Sequence, residues 1–303
     1  MFKELAAQGV SPALLQKVRD QRAQWGEIAC GDSTPRFIYE GCEVWEAAIH
    51  AILAGENLLL VGEKATGKNV LAENLADLFG RPRRTVSFHV ATDQAALIGT
   101  DTLRNGAVEF RPGPIADVAV KGAFGILDEI NMARNDAIAV LHATLDFRRV
   151  IDLPGYEPIF LHPATRFIAT MNHDYLGTRE LNEALSSRFV ILHMPTIAEG
   201  ALRHLLRVQF PALSGRALDQ LVGLFFDLHR KAEHGEISSK AVDLRGLLAA
   251  LRLMESGLAP ATALDMGMTH KSFDSFEQEI VRDVIRLRFD AREPASALFE
   301  ARR

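Results

Sequence analysis

The sequence predicts an α/β fold in which a mostly parallel, three-layer sheet is followed by a smaller all-helical unit. Up to about Pro195, short apolar runs typical of buried strands alternate with amphipathic helical segments, and this alternation indicates a parallel sheet covered on both faces. Beyond Pro195 the strand signal vanishes and only helical periodicity remains. The length of 303 residues leaves room for about two domain-sized units.

Five strands are predicted, and two N-terminal helices precede them. Ser11 and Pro12 open the first helix as N-cap and first-turn residue, and Gly26 ends it. A polar linker at residues 30–35 leads to a second amphipathic helix at residues 44–52. The strands are expected at residues 58–61, 85–90, 123–127, 167–170 and 190–194, with helices at residues 70–79 and 135–147.

The segment between the second and third strands carries a hairpin signal, and the C-terminal part carries four helical ones. Asn105-Gly106 stands between Leu103 and Val108 and favours a two-residue hairpin turn. The C-terminal helices are expected at residues 198–210, 218–234, 242–256 and 273–289. The simplest division of the chain is an N-terminal helical extension, an α/β unit and a helical unit, at residues 1–36, 37–195 and 196–303.

The composition is that of an ordinary soluble globular protein and excludes fibrous, collagen-like and disordered classes. Hydrophobic residues make up 48% and the formal net charge is −5, which gives no bulk attraction to nucleic acid or to an anionic membrane. Cys30 and Cys42 are too few for a disulfide framework and are expected to be free thiols. No signal peptide or membrane-spanning apolar run is recognised, so a cytoplasmic location is expected.

A phosphate-binding loop is predicted directly after the first strand. Glycines in this position let the backbone wrap a phosphate chain, and N–H groups at a helix start bind the anion. Lys68 is placed to reach the β and γ phosphates. The loop has the form GxxxxGK and, with the first turn of the following helix, comprises Gly62, Glu63, Lys64, Ala65, Thr66, Gly67, Lys68, Asn69 and Val70.

Asn69 departs from the usual form of this loop, in which the last position is Ser or Thr. The hydroxyl of that Ser or Thr normally holds Mg²⁺. An Asn carbonyl oxygen is also a ligand for hard cations, although its longer side chain must repack to deliver it. We therefore predict Asn69 as a magnesium ligand.

Four further residues carry candidate chemistry. Asp128 and Glu129 end a buried strand; they predict a carboxylate that holds Mg²⁺ through water and a second that polarises the attacking water, or else a cap between strand and loop. Asn172 ends another strand and either senses the γ-phosphate or serves as a turn residue. Arg188 precedes the last strand and is either a solvated charge or an arginine finger.

The order of these motifs resembles the AAA+ ATPases, and within them the MoxR branch with its CbbQ/NirQ/NorQ-like and dynein-related relatives. The resemblance covers about residues 37–256. It implies a P-loop sheet with a helical lid, and ATP and Mg²⁺ as cofactors. The segments that carry it are residues 59–68 as Walker A, 125–133 as Walker B, 168–172 as sensor 1 and 181–189 as the arginine-finger segment.

The same resemblance implies further site residues and partners. The hairpin around Asn105 resembles an insertion that MoxR-type proteins carry before Walker B. Residues 243–248 resemble the sensor 2 helix of the lid, with Arg245 as its candidate; the alternative is an exposed helix arginine. A hexameric ring is implied, in which Arg188 reaches the nucleotide of the neighbouring subunit. Relatives activate a client protein, often with a von Willebrand factor A-domain partner.

Three other functions are open at this level. An ATP-gated scaffold with little or no hydrolysis is supported by Asn69. A small-molecule P-loop kinase would share the phosphate loop but has no need of Arg188 or of a C-terminal lid. A nucleic-acid motor would require a basic aromatic stripe, which the sequence lacks.

Overall fold

The computed structural model describes every residue except 27, 29–34, 36, 105, 154, 173–180, 291 and 301–303. The chain divides into two compact units, Met1–Thr196 and Ile197–Arg303. Cys30 and most of the predicted linker at residues 30–35 lie outside the described residues. No helix in the described ranges has the length and apolar content that crossing a membrane requires.

The first unit contains nine strands and nine α-helices among its described residues. Its helices are α1 (Phe2–Ala7), α2 (Pro12–Trp25), α3 (Cys42–Leu53), α4 (Lys68–Leu78), α5 (Gln94–Ile98), α6 (Pro114–Lys121), α7 (Asn135–Ile138), α8 (Leu141–Leu145) and α9 (Glu183–Ser186). Its strands are β1 (Leu58–Gly62), β2 (Arg83–Ser87), β3 (Gly99–Arg104), β4 (Ala107–Pro112), β5 (Phe124–Asp128), β6 (Val150–Ile151), β7 (Ile159–Phe160), β8 (Arg166–Asn172) and β9 (Val190–His193).

The main sheet has five strands in the order β2-β5-β8-β1-β9, and every neighbouring pair is parallel. In a parallel sheet, the carboxyl ends of all strands lie at one edge and the amino ends at the other. The three central strands, β5, β8 and β1, therefore end side by side. The predicted parallel α/β fold is confirmed.

Both faces of the sheet are covered by helices. Leu58 and Leu60 of β1 belong to a hydrophobic cluster with residues of α2, α3 and α4. Leu59 and Val61, which alternate with them, belong to a second cluster with residues of α5, α6 and α8. Because successive side chains of a strand point to opposite faces, the continuous apolar run of β1 fills both clusters, and the unit has three layers.

Some predicted elements differ from the observed ones. The second strand begins two residues earlier than expected, at Arg83. The helix predicted at residues 135–147 is two short helices, α7 and α8, separated by a turn in which His142 N donates to Ala139 O at 3.1 Å. The strands β6 and β7 form a small antiparallel pair. They were not predicted, because two residues are too few to show a strand period.

The hairpin prediction is confirmed. Strands β3 and β4 pair antiparallel, with Leu103 opposite Val108 and Arg104 opposite Ala107. Gly106 has a φ of 82°, which a tight two-residue turn requires. Asn105 lies outside the described residues.

The second unit is helical, and no regular strand occurs in its described residues. Its helices are α10 (Glu199–Gln209), α11 (Gly215–Glu233), α12 (Leu244–Glu255), α13 (Pro260–Gly267) and α14 (Ser275–Arg288). Helix α13 was not predicted. It packs closely on α12, because a Cβ on Gly246 would lie 2.0 Å from the carbonyl oxygen of Gly267. The backbone of each helix therefore touches the other at a glycine.

Candidate functional site

The loop between β1 and α4 turns tightly. Ala65 and Gly67 both have left-handed backbone conformations, with φ of 65° and 86°. Gly67 is the residue that immediately precedes the first residue of α4, Lys68. A left-handed conformation is strained for alanine, and such strain is typical of ligand-binding loops.

The side chain of Lys68 is folded into this loop. Lys68 is 7% exposed, and its ammonium group donates to the carbonyl oxygens of Gly62 at 2.8 Å and of Glu63 at 2.6 Å. Thr66 closes the turn from within, because its hydroxyl donates to the same Glu63 carbonyl at 3.0 Å. A buried ammonium group needs such acceptors, and these two hold the charge of Lys68 at the start of the loop.

Both glycines of the loop are enclosed by other residues. A Cβ on Gly67 would lie 3.0 Å from the Tyr39 ring, and one on Gly62 would lie 2.8 Å from the carbonyl oxygen of Met194. Tyr39 itself is buried, and this burial raises the pKa of its hydroxyl to about 12. The loop thus has backbone, and no side-chain bulk, at the two positions where the sequence has glycine.

The acidic and amide residues lie at the carboxyl edge of the sheet, beside this loop. Asp128 is the last residue of β5 and Asn172 is the last of β8. Asn172 pairs with Gly62 in the register of β8 and β1. The parallel sheet therefore brings the predicted Walker B and sensor 1 residues to the strand end from which the loop departs.

Side-chain hydrogen bonds connect the two strand ends. The Thr170 hydroxyl donates to Asp128 Oδ1 at 2.7 Å and accepts from the backbone N–H of Glu129 at 3.1 Å. Asn172 Nδ2 donates to Glu129 Oε1 at 3.0 Å. Glu129 has a φ of 56°, so the carboxylate is presented from a strained, left-handed residue. Strand β8 thus positions both carboxylates of the neighbouring strand end.

Comparison with known proteins agrees with this architecture. Residues 57–189, which hold the loop and both strand ends, match the family model of the AAA domain (dynein-related subfamily). The chain is 34% identical over 248 residues to the uncharacterized protein YojN of Bacillus subtilis (strain 168), covering 80% of this chain and 81% of YojN.

This chain belongs to the AAA family.

A second relative and a solved structure were also found to be similar to this chain. The uncharacterized protein SAB1265c of Staphylococcus aureus (strain bovine RF122 / ET3-1) is 31% identical over 240 residues, covering 77% of this chain and 91% of that protein. A solved structure from Cytophaga hutchinsonii ATCC 33406 is similar over 96% of this chain and 99% of its own, with a TM-score of 0.46 and 14% identity. That likeness is too distant to inform function.

An AAA domain implies nucleotide binding, usually with Mg²⁺, and the residues present fit both groups. The buried Lys68 ammonium and the side-chain-free loop suit a phosphate chain. Mg²⁺ typically takes one or two protein oxygen ligands and fills the rest of its shell with phosphate and water. Asp128, at the carboxyl end of β5, and the half-buried Asn69, in the first turn of α4, are the residues that could offer such oxygens.

Arg188 is not at this site in its own chain. It precedes β9, whose first residue, Val190, pairs with the first residue of β1, Leu58, whereas the loop follows the last residue of β1. Arg188 therefore lies at the amino edge of the sheet. Its guanidinium donates to His142 O at 3.0 Å and to Ala184 O, and its Nη2 is 3.6 Å from Asp146 Oδ2.

The charge of Arg188 affects the pKa values of two neighbouring side chains, Asp146 and His142. Hydrogen bonds from Arg148 and the nearby charge of Arg188 hold the pKa of Asp146 below its usual value. Burial, and then the charge of Arg188, lower the pKa of His142. The Arg188 side chain is 22% exposed, so part of its guanidinium faces outward from this unit.

Arg245 belongs to the second unit. It is the second residue of α12, is exposed, and its backbone N–H donates to Asp243 Oδ1 at 3.0 Å. A helix with an aspartate cap is therefore present where the sensor 2 segment was predicted. The role of Arg245 toward the nucleotide stays a prediction.

Two residues of the site were missed by the sequence reasoning. Thr170 connects Asp128 to Glu129, and its signal was available: it lies two residues before Asn172 in a strand, hence on the same face. Tyr39 packs on Gly67, which lies 28 positions later in the chain, and no local sequence pattern predicts that contact.

Proposed function

We propose that this protein binds ATP with Mg²⁺ and hydrolyses it. The observation that carries the proposal is the hydrogen-bonded network at the carboxyl edge, in which Thr170 and Asn172 of one strand hold Asp128 and Glu129 of the next. A site that only binds phosphate does not require a second carboxylate, that of Glu129, held in place by the Asn172 amide.

In this proposal each residue has a stated task. Lys68 and the backbone N–H groups of residues 62–70 bind the phosphate chain. Asp128 and Asn69 would hold Mg²⁺, which when bound neutralises charge on the β and γ phosphates. Asn172, which donates to Oε1 of Glu129, leaves Oε2 to accept a hydrogen bond from the attacking water. Glu129 then takes the proton of that water, and the proposed second task of Asn172 is to sense the γ-phosphate.

The position of Arg188 supports a role in a neighbouring subunit. Within its own chain it lies at the sheet edge opposite the phosphate loop, so it cannot reach the nucleotide bound there. An arginine finger in trans requires a head-to-tail contact between copies, and such contacts close into rings. We propose a hexameric ring in which Arg188 completes the next site, with Arg245 contributing from the helical lid.

The finer assignment follows from the resemblance of the motifs. We propose a MoxR-type remodelling ATPase in the cytoplasm, with residues 37–195 as nucleotide-binding domain, residues 196–303 as lid, and residues 1–36 as an extension. Its proposed work is to activate a client protein together with a von Willebrand factor A-domain partner. Nucleic acid is not among the proposed partners.

A steady-state ATPase assay with purified protein tests the central proposal. The wild-type chain is expected to release phosphate from ATP in the presence of Mg²⁺, and Glu129→Gln is expected to bind ATP without releasing phosphate. An ATP-gated scaffold is the second candidate, which Asn69 favours. Tight ATP binding by the wild type with no release of phosphate, in the presence of Mg²⁺ and with assembled rings, would favour that scaffold and contradict hydrolysis.

A further inference from the structure

We infer that Thr170 is a positioning residue that makes the magnesium-binding and the water-activating carboxylates act as one unit. This inference rests on the proposed function and deepens it. The juxtaposition that carries it is one hydroxyl between two groups of different roles: it donates to the Asp128 carboxylate at 2.7 Å and accepts from the Glu129 backbone at 3.1 Å.

The chemistry of a hydroxyl explains why this arrangement is specific. A hydroxyl has one hydrogen to donate and two lone pairs that accept. The Thr170 hydroxyl donates its hydrogen to Asp128 Oδ1. This bond selects one of the two carboxylate oxygens and fixes the rotation of the Asp128 carboxylate. A lone pair takes the N–H of Glu129. Thr170 is 1% exposed, so water does not compete for these bonds.

The hydrogen bond that the Thr170 hydroxyl accepts supports the backbone of Glu129. This residue adopts a left-handed conformation with φ of 56°, which is strained for a non-glycine residue and persists only where the surroundings impose it. The Thr170 hydroxyl satisfies the N–H that this conformation turns toward β8. Asn172, two residues along the same strand face, then holds the Glu129 carboxylate at 3.0 Å.

The consequence is that loss of one hydroxyl disturbs two functions together. Without it, Asp128 loses the hydrogen bond that orients its carboxylate, which weakens Mg²⁺ binding. The Glu129 backbone loses a support of its strained geometry, which misplaces the water-activating group. Outer residues that orient metal ligands are worth about 10-fold to 100-fold in metal affinity or activity. A residue that only fills space would affect neither in this selective way.

Three variants test the inference. Thr170→Val removes the hydroxyl and keeps the shape, whereas Thr170→Ser keeps the hydroxyl and removes a methyl group. Thr165→Val is the matched control, because Thr165 is also buried and also hydrogen-bonded, to Val118 O and Ala119 O at 3.2 Å each, but at the amino edge of the same sheet.

The first readout is the Mg²⁺ concentration that gives half of the maximal binding of a fluorescent ATP analogue, which does not depend on turnover. Thr170→Val is expected to raise this midpoint about 10-fold to 100-fold. Binding of the analogue in EDTA, which depends on Lys68, stays within about threefold of wild type. The second readout is kcat for ATP, expected to fall about 10-fold or more at saturating Mg²⁺.

The controls separate positioning from folding. Thr170→Ser is expected to recover most of both losses, and Thr165→Val is expected to lower the melting temperature while leaving the Mg²⁺ midpoint at its wild-type value. If Thr170→Val does not fold, Thr170→Ala replaces it in the same comparison. The inference is overturned if the hydroxyl-free variant keeps the wild-type midpoint, or if Thr170→Ser loses as much as Thr170→Val.

Failure of the proposed function looks different. A wild-type chain that binds the analogue with Mg²⁺ but never releases phosphate contradicts hydrolysis, while the Mg²⁺ midpoint still decides whether Thr170 positions Asp128. A wild-type chain that binds no nucleotide contradicts both, and this is seen before any variant is measured.

Discussion

The two edges of the five-stranded sheet both carry polar and charged side chains, and they use them differently. At the carboxyl edge, Asp128, Glu129 and Asn172 are half-buried and bonded to other side chains. At the amino edge, Arg81 and Arg166 are buried, and their guanidinium groups donate to backbone carbonyls.

The contacts of the two arginines show what the amino edge does. Arg81 donates to the carbonyl oxygens of Gly122 at 2.7 Å and of Gly26 at 2.9 Å, and so ties the start of β5 to the end of α2. Arg166 donates to Pro163 O and Thr165 O, and burial lowers its pKa to about 10.

The difference separates the acidic and amide residues of the site from the scaffolding arginines. Lys68 does not follow it, because its buried ammonium donates to backbone carbonyls, and it is recognised by its place in the phosphate loop instead. A backbone carbonyl is a fixed acceptor, so a side chain bonded to it secures the path of the chain. Side chains that bond to one another and stay partly exposed keep acceptors available for a ligand. Arg188 combines both kinds of contact: it donates to the backbone carbonyls of His142 and Ala184, but it is partly exposed and lies near the Asp146 carboxylate. It is the residue of the amino edge to which we give a function.

The largest effect is expected at Glu129 and tests the carboxyl edge as a hydrolytic site. Glu129→Gln keeps size and hydrogen bonding but removes the anion that takes a proton from water. We expect kcat to fall on the order of 10² to 10⁴-fold with ATP affinity retained. The control is Glu109→Gln, at an exposed position of the β4 strand. Turnover of Glu129→Gln at the wild-type rate would place the base elsewhere.

The next effect concerns Arg188 and tests whether the amino edge serves a neighbouring subunit. A finger in trans is worth roughly 10³-fold in rate, so Arg188→Ala is expected to bind ATP normally and hydrolyse it poorly. Subunits of Arg188→Ala and Glu129→Gln are then mixed under conditions where they exchange. An Arg188→Ala subunit has an intact Glu129, and its partner lends the missing arginine, so activity should rise above the sum of the two.

The same mixture can contradict the trans role. If Arg188 acted within its own subunit, no mixed site would be complete and the mixture would stay inactive. Absence of recovery, with subunit exchange shown independently by a fluorescence assay, would reject the finger and remove the main support for a ring.

A smaller effect is expected at Lys68, whose ammonium is the buried cation of the carboxyl edge. Lys68→Ala removes a charge-assisted contact to phosphate worth about 1.5–3 kcal/mol, which is roughly 10-fold to 150-fold in ATP affinity. Lys17→Ala removes an exposed charge of α2 and serves as control. Calorimetric titration with ATP measures both. An unchanged affinity of Lys68→Ala would contradict the assignment of the loop.

Arg81 tests the scaffolding side of the comparison. Arg81→Met leaves the carbonyls of Gly122 and Gly26 without this donor, so we expect the free energy of unfolding to fall by about 2–4 kcal/mol. Turnover per folded molecule should stay unchanged. The control Arg84→Met, at an exposed position of β2, should alter stability by less than about 0.5 kcal/mol. Denaturation in urea and the ATPase assay together decide the outcome.

The features of the fold and site that could be predicted from the sequence are those that depend on residues close together in the chain. The parallel sheet, the phosphate loop and the hairpin have local signatures: a run that fills both faces, glycines at strained positions, and Asn-Gly before a second strand. Asp128 and Asn172 were predicted because each ends a buried strand. Arg188 at the amino edge was also predicted, but the contacts of the buried arginines there were not. Arg81 reaches Gly122 across 41 positions, and sequence periodicity carries no information about which carbonyl a buried guanidinium will contact.

The helical unit shows the same limit. Its periodic helices were predicted, but α13 was missed, although its start at Pro260 is a usual first-turn residue. Only eight residues long, it shows little more than two turns of periodicity. Its place is set by the approach of Gly246 to Gly267, which is a tertiary contact and leaves no trace in local pattern.

The smallest effect is expected at Asn69, and it sharpens the comparison within the carboxyl edge itself. Asn69 is the second residue of α4, half-buried, one position after Lys68. If its carbonyl oxygen serves as a ligand for Mg²⁺, Asn69→Thr restores the usual hydroxyl ligand. The Mg²⁺ midpoint of nucleotide binding should then stay within about threefold of wild type or fall. A loop reshaped around the longer asparagine would instead respond with a weaker midpoint, because a shorter side chain cannot span the same gap. Measured beside Asn69→Ala, which offers no oxygen and should raise the midpoint, Asn69→Thr decides whether a hydroxyl can replace the amide oxygen: equal losses in Thr and Ala would show that it cannot.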